Sequence, residues 1–467
     1  MTRSLAEAAE RCLLPGFVGT EPPEWVLRRA PRLGGVCLYA RNIVSPEQLA
    51  RLCAQLHAEN PALIIAIDEE GGDVTRLEAA SGSSYPGNLA LGAAGDVELT
   101  RAVARAIGLE LAHAGIDLDL APDADVNSNP SNPVIGVRSF GSDSAAVAAQ
   151  TAAWVEGLQS AGVAACVKHF PGHGDTSVDS HLALPVVGAD PRAGALEPFA
   201  AAIGAGARSV MSAHIVVPSM DSVPATVSRK IMTALLRDEM GFQGLIVSDG
   251  IEMKAIADIA EGTVQALVAG CDLICIGGGL AEEGIVDRLQ GALVESVDEE
   301  RLQEAAARVD DLARWRASQP APSEMPDRAI GLAAARKALR VEGDVRVGDD
   351  VDVIQLNPAF TMASGLIPWG LSDALRARGA RVTRHDLDGA GSVVHPEPGR
   401  SLVLTVRNLH RHEWEQRVAA EVLKARPDAV VVEMGLPACR PAEARNYMAT
   451  YGAARVCATA AAEVMRP

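Results

Sequence analysis

The chain has 467 residues, of which 48% are hydrophobic and only 3% are aromatic, and its formal net charge is −18 at pH 7. This length exceeds what one hydrophobic core usually supports, so two domains with aliphatic cores are expected. The strongly negative charge argues against nucleic acid and anionic membrane surfaces as partners. The amino-terminal stretch lacks the long apolar segment of a secretory signal, which favours a soluble, cytoplasmic protein without membrane association.

Short apolar runs alternate with amphipathic, alanine-rich segments over roughly the first 300 residues. The runs predict buried strands, and segments such as 99–114, 145–160 and 232–240 predict helices between them. Eight strands alternating with helices favour an α/β fold of the (β/α)8 TIM-barrel type over an open doubly wound sheet. The predicted strands cover residues 12–14, 35–39, 63–67, 116–120, 163–167, 209–211, 245–247 and 273–276.

The fifth predicted strand is followed at once by a stretch rich in ionisable groups, KHFPGHGDTSVDSH at residues 168–181. Pro171, Gly172 and Gly174 exclude a helix there, so these polar groups are expected on a loop at the carboxyl end of a strand. In a parallel α/β protein, that edge is where chemistry is done. A catalytic loop is therefore the favoured interpretation.

Two other interpretations of this loop stay open. The histidines His169, His173 and His181 could ligate a metal in a metal-dependent hydrolase, although the HxxxH spacing brings two ligands to one face only in a helix. The histidines could also hydrogen-bond only to the loop's own backbone. So many ionisable groups in one turn are costly to desolvate without a use, which argues against this purely structural role.

Most of the predicted barrel strands are followed closely by a charged or hydrogen-bonding residue. Any one of these residues alone would more often cap a helix or lie in a solvated turn. If the barrel is correct, they project together into one pocket at its carboxyl face. The residues are Arg41, Asn42, Asp68, Arg76, Asp123, Asp125, Lys168, His169, His214 and Asp249.

The chain changes character after a proline-rich stretch, ASQPAPSEMPD at residues 317–327, which predicts a linker. Beyond it, a parallel βαβ pattern predicts a smaller open-sheet α/β domain of the sandwich type. The stretch NLHRHEWEQ, residues 408–416, is expected to be a helix start with solvated charges, with a binding role as the alternative. The predicted divisions are a catalytic barrel over 1–316, a linker and connecting helix over 317–340, and the second domain over 341–467, with strands near 351–356, 401–406 and 429–434 and helices near 372–378 and 413–423.

Four motifs carry a likeness to a known family: IDEEGGDVTR at 67–76, NPVIGVRSFG at 132–141, the histidine-rich stretch at 168–181, and IVSDGIEMKAI at 246–256. Together they resemble the signatures of the family-three glycoside hydrolases, and most closely the β-N-acetylglucosaminidase branch that acts on cell-wall sugars. The resemblance runs over most of residues 10–310. The second domain resembles, less sharply, the α/β domain that follows the barrel in two-domain members.

The resemblance implies a role for each matching residue. Asp249 would be the nucleophile of a retaining reaction, and His181, oriented by Asp179, would be the general acid/base. The implied reaction is exo-acting removal of terminal N-acetylglucosamine from a small carbohydrate substrate, with no metal and no cofactor. The residues implied to bind the sugar are Asp68, Arg76, Arg138, Lys168, His169, Met211 and His214.

The sequence departs from the family's pattern at two positions, because Asp73 stands where many members carry arginine and Gly250 where alanine or aspartate is usual. Both departures put the substrate range in doubt, so a broader β-glucosidase is an alternative. A second alternative is a phosphorylase. His181 carries no negative charge in either protonation state, so phosphate could approach it as an acceptor and yield the sugar 1-phosphate. A sugar-binding protein without catalysis is the non-enzymatic alternative.

Overall fold

The structure is a computed structural model that describes residues 3–178, 184–253, 258–277, 282–358, 365–389 and 399–467. Contacts along the chain divide it into two compact units. The first consists of Met1–Glu69, Thr100–Val134 and Ser142–Asp327, and the second of Glu70–Leu99, Ile135–Gly141 and Arg328–Pro467. Two short excursions from the first half of the chain therefore belong to the second unit. The linear boundaries after residues 316 and 340 stay a prediction.

The first unit contains a closed parallel barrel. Strands β2 to β7 pair in chain order, and β8 pairs with β1. Single bridges between Gly16 and Cys37 and between Val247 and Leu273 join these two sheets into a ring. This confirms the predicted TIM-type barrel. The strands are β1 Leu13–Pro15, β2 Gly35–Leu38, β3 Ile64–Ile67, β4 Leu118–Asp119, β5 Ala164–Phe170, β6 Ser209–Ser212, β7 Leu245–Val247 and β8 Ile274–Ile276.

Alternate residues of the barrel strands form one buried aliphatic core. Ile64 and Ala66, for example, share a cluster with Leu245 and Val247. A spacing of two residues puts side chains on the same face of a strand, so alternate positions point into the barrel. Helical residues around Leu312 pack against the same cluster, so the barrel interior is filled rather than open.

Helices follow the barrel strands as the sequence predicts. Ser45 begins one of them by accepting a hydrogen bond from the Gln48 N–H at 3.2 Å, with proline at the next position. The segment Lys230–Glu239 is π-helical rather than α-helical. The α-helices up to residue 317 are α1 Leu5–Arg11, α2 Glu24–Arg29, α3 Pro46–Glu59, α4 Asn88–Ala94, α5 Val97–Ala114, α6 Ser144–Ser160, α7 Glu197–Gly204, α8 Ile259–Ala269, α9 Glu283–Ser296 and α10 Glu299–Ala317. Within the described residues, no helix is long and apolar enough to cross a membrane.

The fifth strand is longer than the sequence predicts. Lys168 and His169 were expected on the loop, but β5 continues to Phe170. Lys168 donates its N–H to Pro122 O at 3.0 Å, and its carbonyl accepts from Ala124 N–H at 2.6 Å, so the chain after β4 extends the ladder. The two side chains are thus held on a strand.

The second unit contains an open six-stranded sheet in the order β11-β10-β12-β13-β14-β9, parallel except for β9 at its edge. Alternate strand residues pack against α12 and α14 on one face and against α13 on the other, which confirms the predicted α/β sandwich. The elements are α11 Ala329–Ala338, β9 Arg340–Glu342, β10 Asp350–Leu356, α12 Ser372–Ala377, β11 Arg381–Leu387, β12 Ser401–Val406, α13 Glu413–Ala425, β13 Val430–Glu433, β14 Asn446–Ala449 and α14 Arg455–Met465.

The expectation of solvated charges at the start of α13 is wrong for Glu415, which is buried. Burial raises the pKa of Glu415 to about 8, and the charge of Glu433 adds to the effect. Burial likewise raises the pKa of Glu433 to about 7, although its carboxylate accepts backbone N–H bonds from Asn408, Leu409 and Gly435. The fold therefore holds two acids where water reaches neither.

We expect this pair to make stability fall as pH rises. An acid whose pKa is higher in the folded state stabilises that state fully below its unfolded pKa of 4.5, and the contribution is lost as pH rises to about 8. Glu415→Gln should remove the Glu415 part, on the order of a few kcal/mol between pH 5 and pH 8. Urea unfolding at the two pH values measures it. Glu413→Gln, on the exposed face of the same helix, is the matched control, and an unchanged pH dependence in Glu415→Gln would contradict the prediction.

Candidate active site

The carboxyl ends of β3 and β5 bring together two of the residues implied to bind sugar. Lys168 is buried, and its Nζ donates to Asp68 Oδ1 at 2.7 Å. A buried ammonium is stable only when it is paired, so the lysine has one preferred position. Asp68 keeps 19% of its side chain exposed, so the pair still borders solvent.

His169 is fixed by two carboxylates that follow β4. Its Nδ1–H donates to Asp125 Oδ2 at 2.8 Å, and Asp123 Oδ2 lies 3.8 Å from the same nitrogen. Asp125 Oδ1 also accepts the backbone N–H of His173 at 2.6 Å. This network fixes the orientation of the His169 ring, because Nδ1 carries a proton that it donates to Asp125.

His173 begins the turn after β5 and is buried. Burial lowers its pKa to about 4, so the ring is neutral near pH 7. Its Nδ1 lies 2.8 Å from Thr176 Oγ1, and its carbonyl accepts from Asn132 Nδ2 at 2.8 Å. His173 therefore ties the loop to the segment after β4.

The carboxylates Asp123 and Asp125 and His169 are also the one group in the described part of the chain that could hold a metal, with ligand atoms within 4.8 Å of one another. Both oxygens of Asp125 already accept N–H bonds, so this carboxylate is part of a hydrogen-bond network. The rings of His169 and His173 lie edge to face with centroids 6.0 Å apart.

Asp249 lies directly after β7 and Ser248. The carboxylate accepts the N–H of Gly250 at Oδ1, 2.8 Å away. The backbone on either side is tied to β8, because Ser248 Oγ accepts the Cys275 N–H at 3.0 Å and Ile251 N–H donates to Cys275 O at 3.0 Å. A half-buried carboxylate at a strand end, on a backbone held from both sides, is a suitable nucleophile.

His214 follows β6 and is fully buried. Its Nε2 lies 3.0 Å from the carbonyl of Gly250, and its Nδ1 lies 2.8 Å from Thr226 Oγ1. Because a carbonyl only accepts, Nε2 carries a proton and donates it to Gly250 O. The Thr226 hydroxyl in turn donates to Ala213 O at 3.0 Å. His214 thus holds the peptide bond next to Asp249. The sequence analysis expected a sugar contact for His214, and this positioning contact differs from that expectation.

Several predicted residues lie elsewhere. Met211 is buried within the barrel core cluster. Asp179 and His181 lie outside the described residues. Arg76 and Arg138 belong to the second unit, where Arg138 makes a bidentate bond to Glu70 with distances of 2.9 and 2.7 Å. The sugar-binding roles of Met211, Arg76 and Arg138 and the acid/base roles of Asp179 and His181 stay predictions.

The structure gives contacts that the sequence analysis did not predict. Asp125 was expected in the pocket after β4 but without a role, and its contact with His169 supplies one. Thr226 and Glu70 had no signal, because each acquires its partner through a contact far away in sequence. Asp119, in β4, is buried beside the charges of Lys168 and Asp68, and burial raises its pKa well above the usual range.

Known proteins resemble this chain over much of its length. A solved glycoside hydrolase family 3 β-N-acetylglucosaminidase from Paenibacillus sp. str. FPU-7 matches with a TM-score of 0.87 and 31% identity, covering 99% of this chain and 97% of that one. Beta-hexosaminidase A of Pseudoalteromonas piscicida is 36% identical over 344 residues, which are 66% of this chain and 56% of that protein. A beta-hexosaminidase of Alkalilimnicola ehrlichii is 39% identical over 281 residues, 56% of this chain and 80% of that protein.

The family assignment rests on a match to a family profile. The sequence profile described as "Glycosyl hydrolase family 3 N terminal domain" matches residues 20–312, which is more than half of the chain and includes every barrel strand after β1. The chain belongs to glycosyl hydrolase family 3.

Proposed function

We propose that the protein is a retaining, exo-acting β-N-acetylglucosaminidase. The observation that carries the proposal is the arrangement at the carboxyl ends of the barrel strands. Asp249 is fixed after β7, and the Asp68–Lys168 pair and His169 are fixed after β3 and on β5. The hexosamine part of the proposal rests on the relatives, which are a β-N-acetylglucosaminidase and β-hexosaminidases.

The proposed reaction has two steps. First, Asp249 attacks the anomeric carbon while His181 donates its proton to the departing glycosidic oxygen, which leaves as an alcohol. Second, His181 removes a proton from water, and the resulting hydroxide attacks the same carbon and frees Asp249. Two inversions give retention of configuration. Asp179, two residues before His181, would orient the ring and stabilise its cation.

The sugar would be held by hydrogen bonds of complementary sense. The Asp68 carboxylate can accept two hydroxyls, while the Lys168 ammonium donates. Nε2 of His169, the ring nitrogen that does not bond to Asp125, can hydrogen-bond a third hydroxyl. The proposal gives Arg76, Arg138 and Met211 the remaining contacts by their match to the family pattern.

We further propose cell-wall-derived glycosides as the natural substrates and the cytoplasm as the compartment.

The positive charges of Lys168 and Arg138 are already neutralised. The Lys168 ammonium and the Arg138 guanidinium are each paired with a carboxylate, which leaves little positive charge on them for an anionic acceptor. Phosphate as acceptor stays a prediction, and we expect it to give the minor product.

A panel of nitrophenyl glycosides tests the proposal. We expect the β-N-acetylglucosaminide to be cleaved with a kcat/KM at least about 100-fold above that of the β-glucoside, because the acetamido group adds specific contacts. Activity should persist in a chelator. Assays at millimolar phosphate should yield mainly free sugar, with any sugar 1-phosphate separated by chromatography. Equal rates on both glycosides would favour the broader β-glucosidase, and loss of activity in chelator would favour the metal-dependent hydrolase.

A further inference from the structure

The second unit includes a segment from the first half of the chain, and this segment carries Arg76. This segment, Glu70–Leu99, follows β3 and Asp68 directly along the chain, yet its contacts are with Arg328–Pro467. Its first turn is compact. Gly71 and Gly72 have φ values of 71° and 59°, and a Cβ added at Gly72 would lie 2.4 Å from Gly87 Cα, so only glycine fits there. Arg76 lies three positions after Asp73, so contacts that hold Asp73 restrict the backbone that carries Arg76.

Asp73 is one of two anchors of this segment, and the other is Arg455, which donates to Glu78 Oε1 at 2.9 Å and to Gly82 O at 3.2 Å. Asp73 is buried, and its carboxylate spans two loops at the carboxyl edge of the second sheet. Oδ2 accepts from Arg407 Nη2 at 2.5 Å, and Oδ1 accepts the Ala453 N–H at 2.8 Å. Arg407 directly follows β12, and Ala453 lies after β14, so the two donors come from strands on either side of β13. Asp73, which differs from the arginine of many family members, is thus paired with Arg407 of the same chain.

Arg407 is itself held in place. Its guanidinium carbon lies 5.6 Å from the centre of the Trp369 ring. The next residue, Asn408, has a positive φ of 58°, and its N–H donates to Glu433 Oε1 at 2.8 Å. Asn408 Oδ1 in turn accepts the Leu436 N–H at 2.8 Å. Because these contacts hold its loop, Arg407 fixes the direction of its hydrogen bond to Asp73 and also supplies a positive charge. A solvated surface arginine supplies the charge without a fixed direction.

We propose that Arg407 is a positioning residue for Arg76, acting through its ion pair with Asp73. The inference rests on the proposed function, in which Arg76 binds the sugar. Arg407 touches no reacting atom in this scheme. Its removal weakens binding of the ground state and the transition state alike, so KM rises and kcat is preserved.

Single variants give the first test. We expect Arg407→Gln to raise KM for a nitrophenyl β-N-acetylglucosaminide by about 10-fold to 100-fold, since misplacing a positioning group by about 1 Å has effects of this size. kcat should stay within about threefold. Arg407→Lys keeps the charge and should recover most of the KM. Arg440→Gln is the matched control, because it removes an arginine that is paired with Glu342 of the edge strand β9. This variant should leave KM unchanged.

A double-mutant cycle separates positioning from a general loosening of the fold. In an Arg76→Ala background, Arg407→Gln should change kcat/KM by less than about twofold, because the residue through which it acts is gone. A loss as large as in the wild-type background overturns the inference. If Arg407→Gln does not fold, as judged by its thermal midpoint, Asp73→Asn carries the same test and should raise KM in the same way.

The outcomes also distinguish this inference from the proposed function. A wild-type protein that cleaves no aryl N-acetylhexosaminide contradicts the proposed function and the inference with it. Wild-type turnover with an unchanged KM in both Arg407→Gln and Asp73→Asn contradicts the inference alone.

Discussion

Asp249→Ala should lower kcat by on the order of 10³-fold or more, which is the larger of the two effects we expect from single substitutions in the barrel. The variant removes the atom that bonds to the anomeric carbon, so neither step of a retaining reaction can proceed at its normal rate. Circular dichroism and thermal unfolding should be close to wild type, because Asp249 lies at a strand end and is only half-buried. Asp311→Ala, an exposed acid on α10, is the control and should retain full activity.

Trapping identifies the nucleophile directly. A slow fluorinated substrate should leave one sugar mass on the wild-type protein, and peptide mapping should place it on the peptide that contains Asp249. Proton NMR of the first-formed product should give retained configuration. A label on another peptide, or an inverted product, would sink the assignment of Asp249.

The barrel could be predicted because each of its strands is a short aliphatic run, and such a run can be recognised from the local sequence alone. The predicted 245–247 and observed Leu245–Val247 coincide, and the other strands differ by a few residues at their ends. The strand β5 differs most, because its last residues pair with the chain after β4, and such long-range pairing is invisible to a local pattern. The polar residues at the strand ends could therefore be named as candidates from the local pattern, while their individual partners could not, and their roles stay predictions.

The second unit marks the limit of prediction from sequence. Asp73 and Arg407 are separated by 334 positions, and no periodicity links them. The start of α13 has the ordinary pattern of a solvated helix end, yet Glu415 is buried beside Glu433 because the helix packs on the sheet. The edge strand β11, with the sequence RVTRHDL, has too few apolar residues to predict a strand. In each case tertiary contact decides what local sequence leaves open.

The acid/base assignment gives the second large effect, and it rests on the sequence motif because Asp179 and His181 lie outside the described residues. A general acid matters most when the leaving group is a poor one, since an alkoxide needs a proton and a dinitrophenolate does not. His181→Ala should therefore lower kcat/KM on an N-acetylglucosamine disaccharide by on the order of 100-fold or more. On the dinitrophenyl glycoside, the same substitution should lower kcat/KM by less than about tenfold.

Two further measurements separate proton transfer from structural damage. For the disaccharide, the pH profile of kcat/KM should have a basic limb near the ordinary imidazole pKa of about 6.5, and this limb should vanish in His181→Ala. Asp179→Ala should move the limb to lower pH, because the ring loses the carboxylate that stabilises its cation. His113→Ala, an exposed histidine on α5, should leave both the limb and the leaving-group dependence unchanged. Equal losses on both substrates in His181→Ala would assign that histidine a structural role, and the proton donor would then have to come from another residue near Asp249.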